Sequence, residues 1–302
     1  MLEGVRVTTL AALLAALFAH GVHAAAPGRA TWTMVDVTTV PGAQADAHLV
    51  EMPGGVFYLL DAGDANGRLA SYLRSRRVRV LEKVIISHAH KDHYSGLRSL
   101  VLAGMVMKEV RANLPDREAC DTERPWGCDW DDFNRTLQLV TQHGAPVRPV
   151  LQGDRYYDRD GVLLEALYAY DARHTPIGRT DVNDTSVLLA LSVGKTRALF
   201  TGDLNMALGT YLARQGKGLA AQLLKVPHHG TDSLAPNEFF DAVGAVAAFV
   251  PSPRVLWQSE RSRRAREYFG SRGIPTYVSG IAGDVSIELR PDGFAVPGKS
   301  VP

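Results

Sequence analysis

Cysteine is scarce in this sequence. Its 302 residues contain only Cys120 and Cys128, in a stretch that also holds Pro125 and Gly127. The segment has too few sulfur and histidine donors for a zinc knuckle. In an oxidising compartment two neighbouring cysteines are more often bonded than free, so we predict a disulfide that staples a loop and contributes about 2 to 3 kcal/mol. The alternative is an unpaired, buried cysteine.

An excess of charge of either sign is also lacking. The sequence has 33 Lys and Arg against 32 Asp and Glu, for a net charge of +1. This balance excludes a strong global field that would attract nucleic acid or a membrane surface. Arginines cluster at positions 74–79 and 261–266. They could contact phosphate, but their helical spacing favours solvated helix faces.

Long apolar runs are lacking after the first two dozen residues. The N-terminus has Arg6, an apolar stretch over residues 7–18, and then Val22-His23-Ala24 before Ala25. This pattern is typical of a secretory signal peptide that is cleaved after Ala24. The apolar stretch is shorter than the roughly 20 residues that cross a bilayer, which argues against an uncleaved anchor. We therefore predict a signal peptide over residues 1–24, export to the periplasm or the medium, and no transmembrane segment in the mature chain.

Internal repeats, low-complexity tracts and linker-like shifts in composition are absent as well, which predicts a single α/β domain over residues 27–302. Strands open and close each half of this domain, with helices between them. The first three strands include a hairpin at Pro53-Gly54-Gly55. Strand-like runs cover residues 32–37, 48–52, 56–60, 84–87, 162–170, 186–193, 198–201, 222–226, 245–250, 276–279 and 285–289, and helix-like runs cover 67–77, 130–143, 206–215 and 260–269.

Four ligand-type side chains follow one predicted buried strand. His88, His90, Asp92 and His93 lie within six positions of the segment SHAHKDHYSG, residues 87–96. Imidazole nitrogen and carboxylate oxygen form a donor set that suits zinc, and also manganese or iron. We predict that this loop binds metal; the alternative is a polar loop held by hydrogen bonds.

Two later strand ends supply further ligands. The run ALFTGD ends at Asp203, and LLKVPHHG ends at His228, His229 and Gly230. Because a carboxylate has two oxygens, Asp203 can bridge two cations, and His228 can complete the second one. Each motif alone is common as a turn or a surface histidine pair, but open α/β sheets place their sites at such strand ends. The combined set predicts a centre for two divalent metal ions, with zinc as the first choice.

The series HxHxDH, TGD and HHG resembles the metallo-β-lactamase superfamily. This resemblance implies a four-layer αββα sandwich with metals at the sheet edges. The more specific resemblance is to the soluble hydrolase domain of the ComEC competence proteins, and the chain is also similar to secreted phosphorylcholine esterases of the superfamily. The matching segments are PGGVFYLLDAG at 53–63, SHAHKDHYSG at 87–96, NDTSVLL at 183–189, LFTGD at 199–203, LKVPHHGT at 224–231 and SGIAGDVSIEL at 279–289.

The resemblance also implies a role for each matching position. Asp61 would orient the histidine loop, unless it is only a turn residue at a strand end. The remaining positions are metal ligands: His88 and His90 for the first metal, Asp92, His93 and His228 for the second, and Asp203 as the bridge.

The sequence departs from the superfamily pattern at one ligand of the first metal. Members that hydrolyse β-lactams or thioesters usually present a histidine about four residues before the serine that starts the next strand. Ser186 starts that strand here, but Val182 and Asn183 take the histidine's place. A water molecule or one of four side chains could substitute: His174, Asp181, Asn183 or Asp184. The departure argues against a lactamase role.

Two cations about 3.5 to 4 Å apart can share a hydroxide, since they lower the pKa of water. We therefore predict an exported phosphodiesterase-like hydrolase that acts on a small-molecule, envelope or nucleic acid phosphodiester, with Asp92 and His229 as catalytic residues and Lys225 as a further substrate contact. The alternatives are hydrolysis of a lactone, β-lactam or other acyl compound, and a metal-binding accessory protein without turnover, for example in DNA uptake.

Overall fold

A computed structural model describes residues 28–38, 43–123, 127–170, 174–178, 180–216 and 218–296. The predicted signal peptide lies outside these ranges. The described strands are β1 Ala30–Met34, β2 Ala47–Met52, β3 Val56–Ala62, β4 Val80–Leu81, β5 Lys83–Ile86, β6 Val106–Met107, β7 Val110–Ala112, β8 Val147–Pro149, β9 Arg155–Arg159, β10 Val162–Tyr168, β11 Leu188–Val193, β12 Thr196–Phe200, β13 Leu223–Lys225, β14 Ala247–Val250, β15 Thr276–Val278, β16 Val285–Arg290 and β17 Gly293–Ala295.

The strands form two large sheets and one small pair. The first sheet has the order β17-β16-β1-β2-β3-β5-β7-β8, and the second has the order β15-β14-β13-β12-β11-β10-β9, while β4 pairs with β6. In each large sheet an antiparallel half gives way to a parallel half, at β3 in the first sheet and at β12 in the second. The predicted hairpin is β2 and β3, which pair antiparallel across Pro53-Gly54-Gly55.

The helices lie between these strands in the sequence. The α-helices are α1 Arg68–Ser75, α2 Lys91–Tyr94, α3 Gly96–Leu102, α4 Arg117–Asp121, α5 Trp130–Gln142, α6 Met206–Gln215, α7 Asn237–Val243, α8 Arg254–Gln258, α9 Arg263–Ser271 and α10 Ser279–Ala282, and three short 3₁₀ helices cover Asn183–Thr185, Pro227–Gly230 and Glu260–Ser262. None of the described helices has the length and apolar content to cross a membrane.

Three separate cores show how the layers stack. Side chains alternate along a strand, and β3 follows this rule: Tyr58 and Leu60 join a core that lies between the two sheets, while Leu59 joins a second core. The second core packs the outer face of the first sheet against α1, α3 and α5. The third core packs the outer face of the second sheet against α6, α7 and α9. The molecule is therefore a four-layer αββα sandwich, and the predicted fold class is confirmed.

One glycine is required where the histidine loop meets the first sheet. Gly96 begins α3, and a Cβ atom placed on it would lie 1.9 Å from the carbonyl oxygen of Ala62 at the end of β3. A side chain therefore cannot fit there without moving the backbone. The amide of Gly96 also donates to the carbonyl of Gly63 at 2.9 Å. This contact fixes the loop that carries the predicted metal ligands against β3.

Candidate metal centre

The candidate site lies where strands of both sheets end. Asp61 lies near the end of β3, and His88 follows β5 by two residues. In the second sheet Asp203 follows β12, and the 3₁₀ helix Pro227–Gly230 follows β13. The strands of each pair run parallel, so their carboxyl ends lie on the same edge and bring these loops together.

Four ligand-type side chains meet at this edge. One donor atom from each of Asp92, His93, Asp203 and His229 lies within 4.8 Å of the others. Oδ2 of Asp203 is 3.1 Å from Nε2 of His93 and 3.0 Å from Nε2 of His229, and the latter nitrogen is 3.2 Å from Oδ2 of Asp92. Asp203 therefore lies between the two histidines, as a bridging carboxylate would.

Each imidazole around this cluster has one nitrogen engaged by a neighbour outside the cluster, while Nε2 of His93 and Nε2 of His229 lie close to Asp203. Nε2 of His88, His93 and His229 is buried and has no hydrogen bond of good geometry to any described residue. The opposite nitrogens are engaged: Nδ1 of His93 donates to Asp61 at 2.9 Å, and Nδ1 of His229 donates to the carbonyl of Pro251 at 2.7 Å. Because such contacts keep a proton on Nδ1, Nε2 is the nitrogen that would give up its proton to a divalent ion, and the site fits an ion that these nitrogens and carboxylates would hold.

The electrostatics of the cluster favour positive charge. Burial alone would raise the pKa of Asp203, but His229, His93 and Lys225 hold it well below its usual range. Burial alone would lower the pKa of His229, but Asp203 and Asp92 raise it to about 10. The carboxylates likewise raise the pKa of His93 well above its ordinary value against the effect of burial. The carboxylates thus attract positive charge to the two imidazoles, and they would attract a bound cation in the same way.

Asp61 makes the contacts expected of a group that orients the histidine loop. Its carboxylate accepts hydrogen bonds from the Ser87 amide at 2.7 Å, the Ser87 hydroxyl at 2.8 Å and His93 at 2.9 Å. Its φ of 56° is in the left-handed region, which costs free energy for a residue other than glycine, although aspartate tolerates it better than most. Asp61 thus lies at an irregularity in the pairing of β3 with β2 and anchors His93.

The structure places His229, and not His228, in the cluster. The sequence-based assignment made His228 a metal ligand and His229 a catalytic group. Both residues have left-handed backbone angles, with φ of 47° and 52°. The resulting turn directs the His229 ring inwards beneath Asp203, while Nδ1 of His228 lies 2.7 Å from Oδ1 of Asn205 and His228 lines the open cleft.

Lys225 lies beneath the cluster and not in the cleft. Its side chain is 1% exposed, so it does not reach a substrate, contrary to the sequence-based expectation. Nζ donates to the carbonyl of Gly202 at 2.7 Å, lies 3.3 Å from Oδ1 of Asp203 and forms an ion pair with Asp46. Burial would lower the pKa of Lys225, but Asp46 and Asp203 raise it. Lys225 therefore stays charged and holds the bridging carboxylate in place.

Sequence reasoning missed Asp46. Its buried carboxylate contacts Lys225 and lies 2.6 Å from Nε2 of His48, whose Nδ1 accepts from the Trp32 indole at 3.2 Å. Burial would raise the pKa of Asp46, but Lys225 and His48 lower it. This network connects the central core to Asp203. Asp46 follows no recognisable motif, so the sequence carries no signal for this role.

His88 and His90 lie beside the cluster. The ring centroid of His88 is 4.2 Å from that of His93 and 4.7 Å from that of His90. Nδ1 of His88 donates to the Ser87 hydroxyl at 3.0 Å, and Nε2 of His90 is 2.8 Å from Oε2 of Glu123. The first predicted metal site thus has two imidazoles in adjacent positions.

Glu123 is the second residue that sequence reasoning missed. It lies between Cys120 and Cys128, which the structure joins in a disulfide with their Cα atoms 4.9 Å apart. Burial would raise the pKa of Glu123, but the hydrogen bond with His90, the charge of His90 and the amides of Val182 and Cys128 lower it. The sequence offers one indication of this role: an acidic residue lies within the loop that the predicted disulfide closes.

Three of the candidates for the missing histidine do not enter the cluster. The clusters of His, Cys, Asp and Glu side chains within the described ranges contain none of His174, Asp181 and Asp184. Asp181 accepts from the Asn205 side chain at 3.0 Å, and Asp184 accepts from the Asn205 amide at 2.6 Å. His174 is exposed. Asn183 lines the cleft, and its buried Oδ1 has no hydrogen bond to the described part of the chain.

An open cleft of about 1340 Å³ leads to the centre. Its lining includes ligand-type residues and the disulfide-loop residues Glu123, Gly127 and Cys128. Those that bear charge or can hydrogen-bond to a substrate are Gln44, Asp64, His90, Lys91, Asp92, Glu123, Asp129, Asp131, Arg135, Asp181, Asn183 and His228. Asp92 belongs to both the cluster and the cleft, so it connects the candidate metal centre to a bound substrate.

Known proteins share this architecture. The family model of the metallo-β-lactamase superfamily matches residues 40–116, which contain the histidine loop. The structure resembles the metallo-β-lactamase fold protein YhfI from Bacillus subtilis, with a TM-score of 0.52, 13% identity, and 85% of this chain and 99% of that chain covered. It also resembles Igni18, a metallo hydrolase from Ignicoccus hospitalis, with a TM-score of 0.51, 13% identity, and coverage of 85% and 98%.

A third neighbour is CmlA, a diiron β-hydroxylase from Streptomyces venezuelae, with a TM-score of 0.51 and 12% identity over 86% of this chain and 54% of that chain. No curated protein matches the sequence. The chain therefore has the metallo-β-lactamase fold. The family model places the resemblance to the metallo-β-lactamase superfamily in residues 40–116, and the structural neighbours show the fold.

Proposed function

We propose that the chain is an exported, metal-dependent hydrolase that cleaves a phosphodiester at a centre of two divalent ions. One observation carries this proposal: Asp92, His93, Asp203 and His229 form a buried cluster at the floor of an open cleft. The disulfide is consistent with an oxidising compartment, and a metallo hydrolase is among the structural neighbours. The ComEC-like resemblance belongs to this proposal as well.

Two divalent ions bound at this edge would lower the pKa of a water molecule and offset the negative charge that builds on phosphoryl oxygens. The chain's own part is to fix the ligands. Lys225 holds one oxygen of Asp203 while the other lies between His93 and His229. Asp61 sets the orientation of His93.

Two residues face a bound substrate. Asp92 lines the cleft, and its Oδ2 also accepts from the Gln44 side chain at 3.1 Å. His228 lines the same cleft beside Asn205. In this proposal the substrate contact that the sequence assigned to His229 passes to His228, because His229 is turned into the cluster.

The charge of the cleft favours one kind of phosphodiester. Six carboxylates line it, and only one of them, Asp92, belongs to the ligand cluster. Among the other lining residues described, Lys91 and Arg135 are the permanently charged cations. A rim with this excess of negative charge repels a polyanion. We therefore favour a small phosphodiester with a neutral or cationic substituent over nucleic acid.

The acyl-hydrolase alternative has less support. The position that bears a histidine in enzymes acting on β-lactams is occupied by Val182, which is fully buried, and by Asn183. An accessory role without turnover is the other alternative. It would be favoured if the chain binds metal and no substrate class is hydrolysed.

The test is an assay of the full chain loaded separately with zinc, manganese and iron. Substrates would be bis-p-nitrophenyl phosphate, p-nitrophenyl phosphorylcholine, single-stranded DNA and nitrocefin. We expect hydrolysis of the two small phosphodiesters, with the zwitterionic one preferred, and loss of this activity in His93→Ala and Asp203→Ala. Turnover of nitrocefin alone, or metal binding without any turnover, would overturn the proposal.

A further inference from the structure

His228 lies beside the candidate metal centre, within reach of a substrate bound there. Its ring lines the cleft, and the ring centroid is 6.3 Å from that of His229. The carbonyl of His228 accepts hydrogen bonds from the amide and the hydroxyl of Thr231, both at 2.9 Å, so the turn that carries the ring is fixed. Nδ1 of the ring lies 2.7 Å from Oδ1 of Asn205. Since Nδ1 is engaged in this way, Nε2 is the nitrogen left for a molecule in the cleft.

Two hydrogen bonds determine which nitrogen of His228 carries the proton. Nδ2 of Asn205 donates to Oδ2 of Asp181 at 3.0 Å. A carboxylate only accepts hydrogen bonds, so the Asn205 side chain must turn its NH2 group to Asp181 and its oxygen to His228. That oxygen also only accepts, so Nδ1 of the imidazole must be the donor. The neutral ring therefore keeps its proton on Nδ1, and Nε2 is a hydrogen-bond acceptor.

The two residues that set this orientation are themselves held in place. Asn205 is 6% exposed, and its backbone amide donates to Oδ1 of Asp184 at 2.6 Å. Oδ1 of Asp181 accepts from the backbone amide of Asp184 at 2.9 Å, which leaves Oδ2 of Asp181 for the Asn205 side chain. The hydrogen bonds from Asp181 through Asn205 to His228 thus allow one arrangement of donors and acceptors.

We infer that Asp181 and Asn205 are positioning residues, which hold His228 with Nε2 as a hydrogen-bond acceptor toward the cleft. The group that this nitrogen would bind is a donor, so the site favours phosphodiesters whose substituent carries a hydroxyl or N–H group. A phosphoryl oxygen cannot take this place, because it is an acceptor as well. This inference rests on the proposed function and narrows its substrate class. The competing role for His228 is a metal ligand through Nε2.

Long-range proton–nitrogen correlation spectra of the chain with isotope-labelled histidine test the positioning role without any turnover. The His228 signals are assigned by their loss in His228→Asn. We expect a protonated Nδ1 and an unprotonated Nε2 in the wild type, with and without zinc. Asn205→Ala and Asp181→Ala should give a mixture of both tautomers at unchanged zinc content. Asp181 is exposed, so its variant serves in case Asn205→Ala folds poorly, and the control is Asp232→Ala, at an exposed position that pairs with Arg261.

Two matched substrates test the preference for a donor. They are p-nitrophenyl 3-hydroxypropyl phosphate and p-nitrophenyl 3-methoxypropyl phosphate, of which only the first can donate from its substituent. For the zinc-loaded wild type we expect a kcat/KM about 3-fold to 10-fold higher for the hydroxyl compound, the usual effect of one hydrogen bond. In Asn205→Ala and Asp181→Ala the preference should disappear through a higher KM at unchanged kcat, because the contact lies outside the reacting bond. Asp232→Ala should retain the preference.

The outcomes separate the inference from the proposed function. A wild-type His228 with its proton on Nε2, or a tautomer that is the same in Asn205→Ala and Asp181→Ala, overturns the inference alone. A large shift of the Nε2 signal when zinc is added also overturns it, because His228 would then be a ligand. Equal kcat/KM values for the two substrates in the wild type overturn the substrate preference. A chain that takes up zinc but hydrolyses no phosphodiester overturns the proposed function and this preference, while the spectra still decide the positioning role.

Discussion

Nζ of Lys225 lies 3.3 Å from Oδ1 of Asp203, and both side chains are about 1% exposed. The same ammonium group pairs with Asp46. A buried cation between two carboxylates is costly to remove, because its partners would stay charged in a medium that solvates them poorly. The arrangement connects stability to function, since one of these carboxylates is the candidate bridge between two metal ions.

Replacement of Lys225 by Met should therefore destabilise the protein by about 3 to 5 kcal/mol, as expected when one partner of a buried ion pair is lost. Urea unfolding followed by circular dichroism measures the change. Lys195→Met is the control, because Lys195 is exposed and should alter stability little. If the two variants unfold at the same urea concentration, Lys225 does not have the structural role assigned to it.

Asp61→Asn tests whether this carboxylate orients His93. Asparagine tolerates the left-handed backbone conformation of residue 61, so the variant removes the charge without adding much backbone strain. The amide cannot fix the His93 tautomer as a carboxylate does, and zinc affinity should fall by about 10-fold to 100-fold. Competition with a chelator gives the affinity. Asp61→Ala should in addition lower the unfolding midpoint; equal midpoints for the two variants would contradict the strain argument.

Local pattern was sufficient for much of the fold. Helix α6 has the predicted bounds, because its apolar spacing ends at Gly216, which adopts the left-handed cap that favours glycine. Helix α5 ends within one residue of the prediction, before Gly144. The strand predicted over residues 32–37 is instead Ala30–Met34, since the chain leaves the sheet earlier. Six described strands, β4, β6, β7, β8, β9 and β17, and six described helices, α2, α3, α4, α7, α8 and α10, were not predicted. Most of these elements are short, and β9 is a largely polar edge strand, so they lack a clear apolar period.

For the candidate site, too, local sequence patterns could be predicted and contacts between distant segments could not. The histidine loop, residues 88–93, could be predicted as a candidate site because its ligand-type side chains are neighbours in the sequence. Glu123 and Asp46 could not, because each acts through a partner from a distant segment: His90 for Glu123 and Lys225 for Asp46. The order of His228 and His229 depends on two backbone angles that a sequence pattern does not encode.

The exchange of roles between these two histidines is itself testable. His229→Asn should remove one bound ion and abolish turnover, because its Nε2 lies 3.0 Å from Asp203. His228→Asn should retain both ions and lower only kcat/KM. Asparagine is chosen for both variants because it tolerates the left-handed angles. Metal analysis of the two proteins decides the matter, and loss of an ion from the His228 variant alone would restore the assignment implied by the resemblance.

Asp184 gives a prediction for the pH dependence of stability. Burial and the neighbouring Asp181 raise the pKa of Asp184 to about 6, above the ordinary value of 3.8, against hydrogen bonds from backbone amides and Thr180. The folded state therefore binds a proton more tightly than the unfolded chain. Stability from this group is fully present below about pH 4 and is lost as the pH rises through 6.

Asp184→Asn removes this loss of stability at high pH, because the asparagine side chain is neutral at every pH. Its oxygen can still accept the hydrogen bond from the backbone amide of Asn205. The variant should be more stable than the wild type at pH 8 by on the order of 1 to 2 kcal/mol, and the difference should disappear near pH 4. Unfolding of both proteins in urea at pH 4, 6 and 8 measures it. Asp158→Asn, at an exposed position on β9, should show no such trend. A constant difference across the three pH values would mean that titration of Asp184 is not its cause.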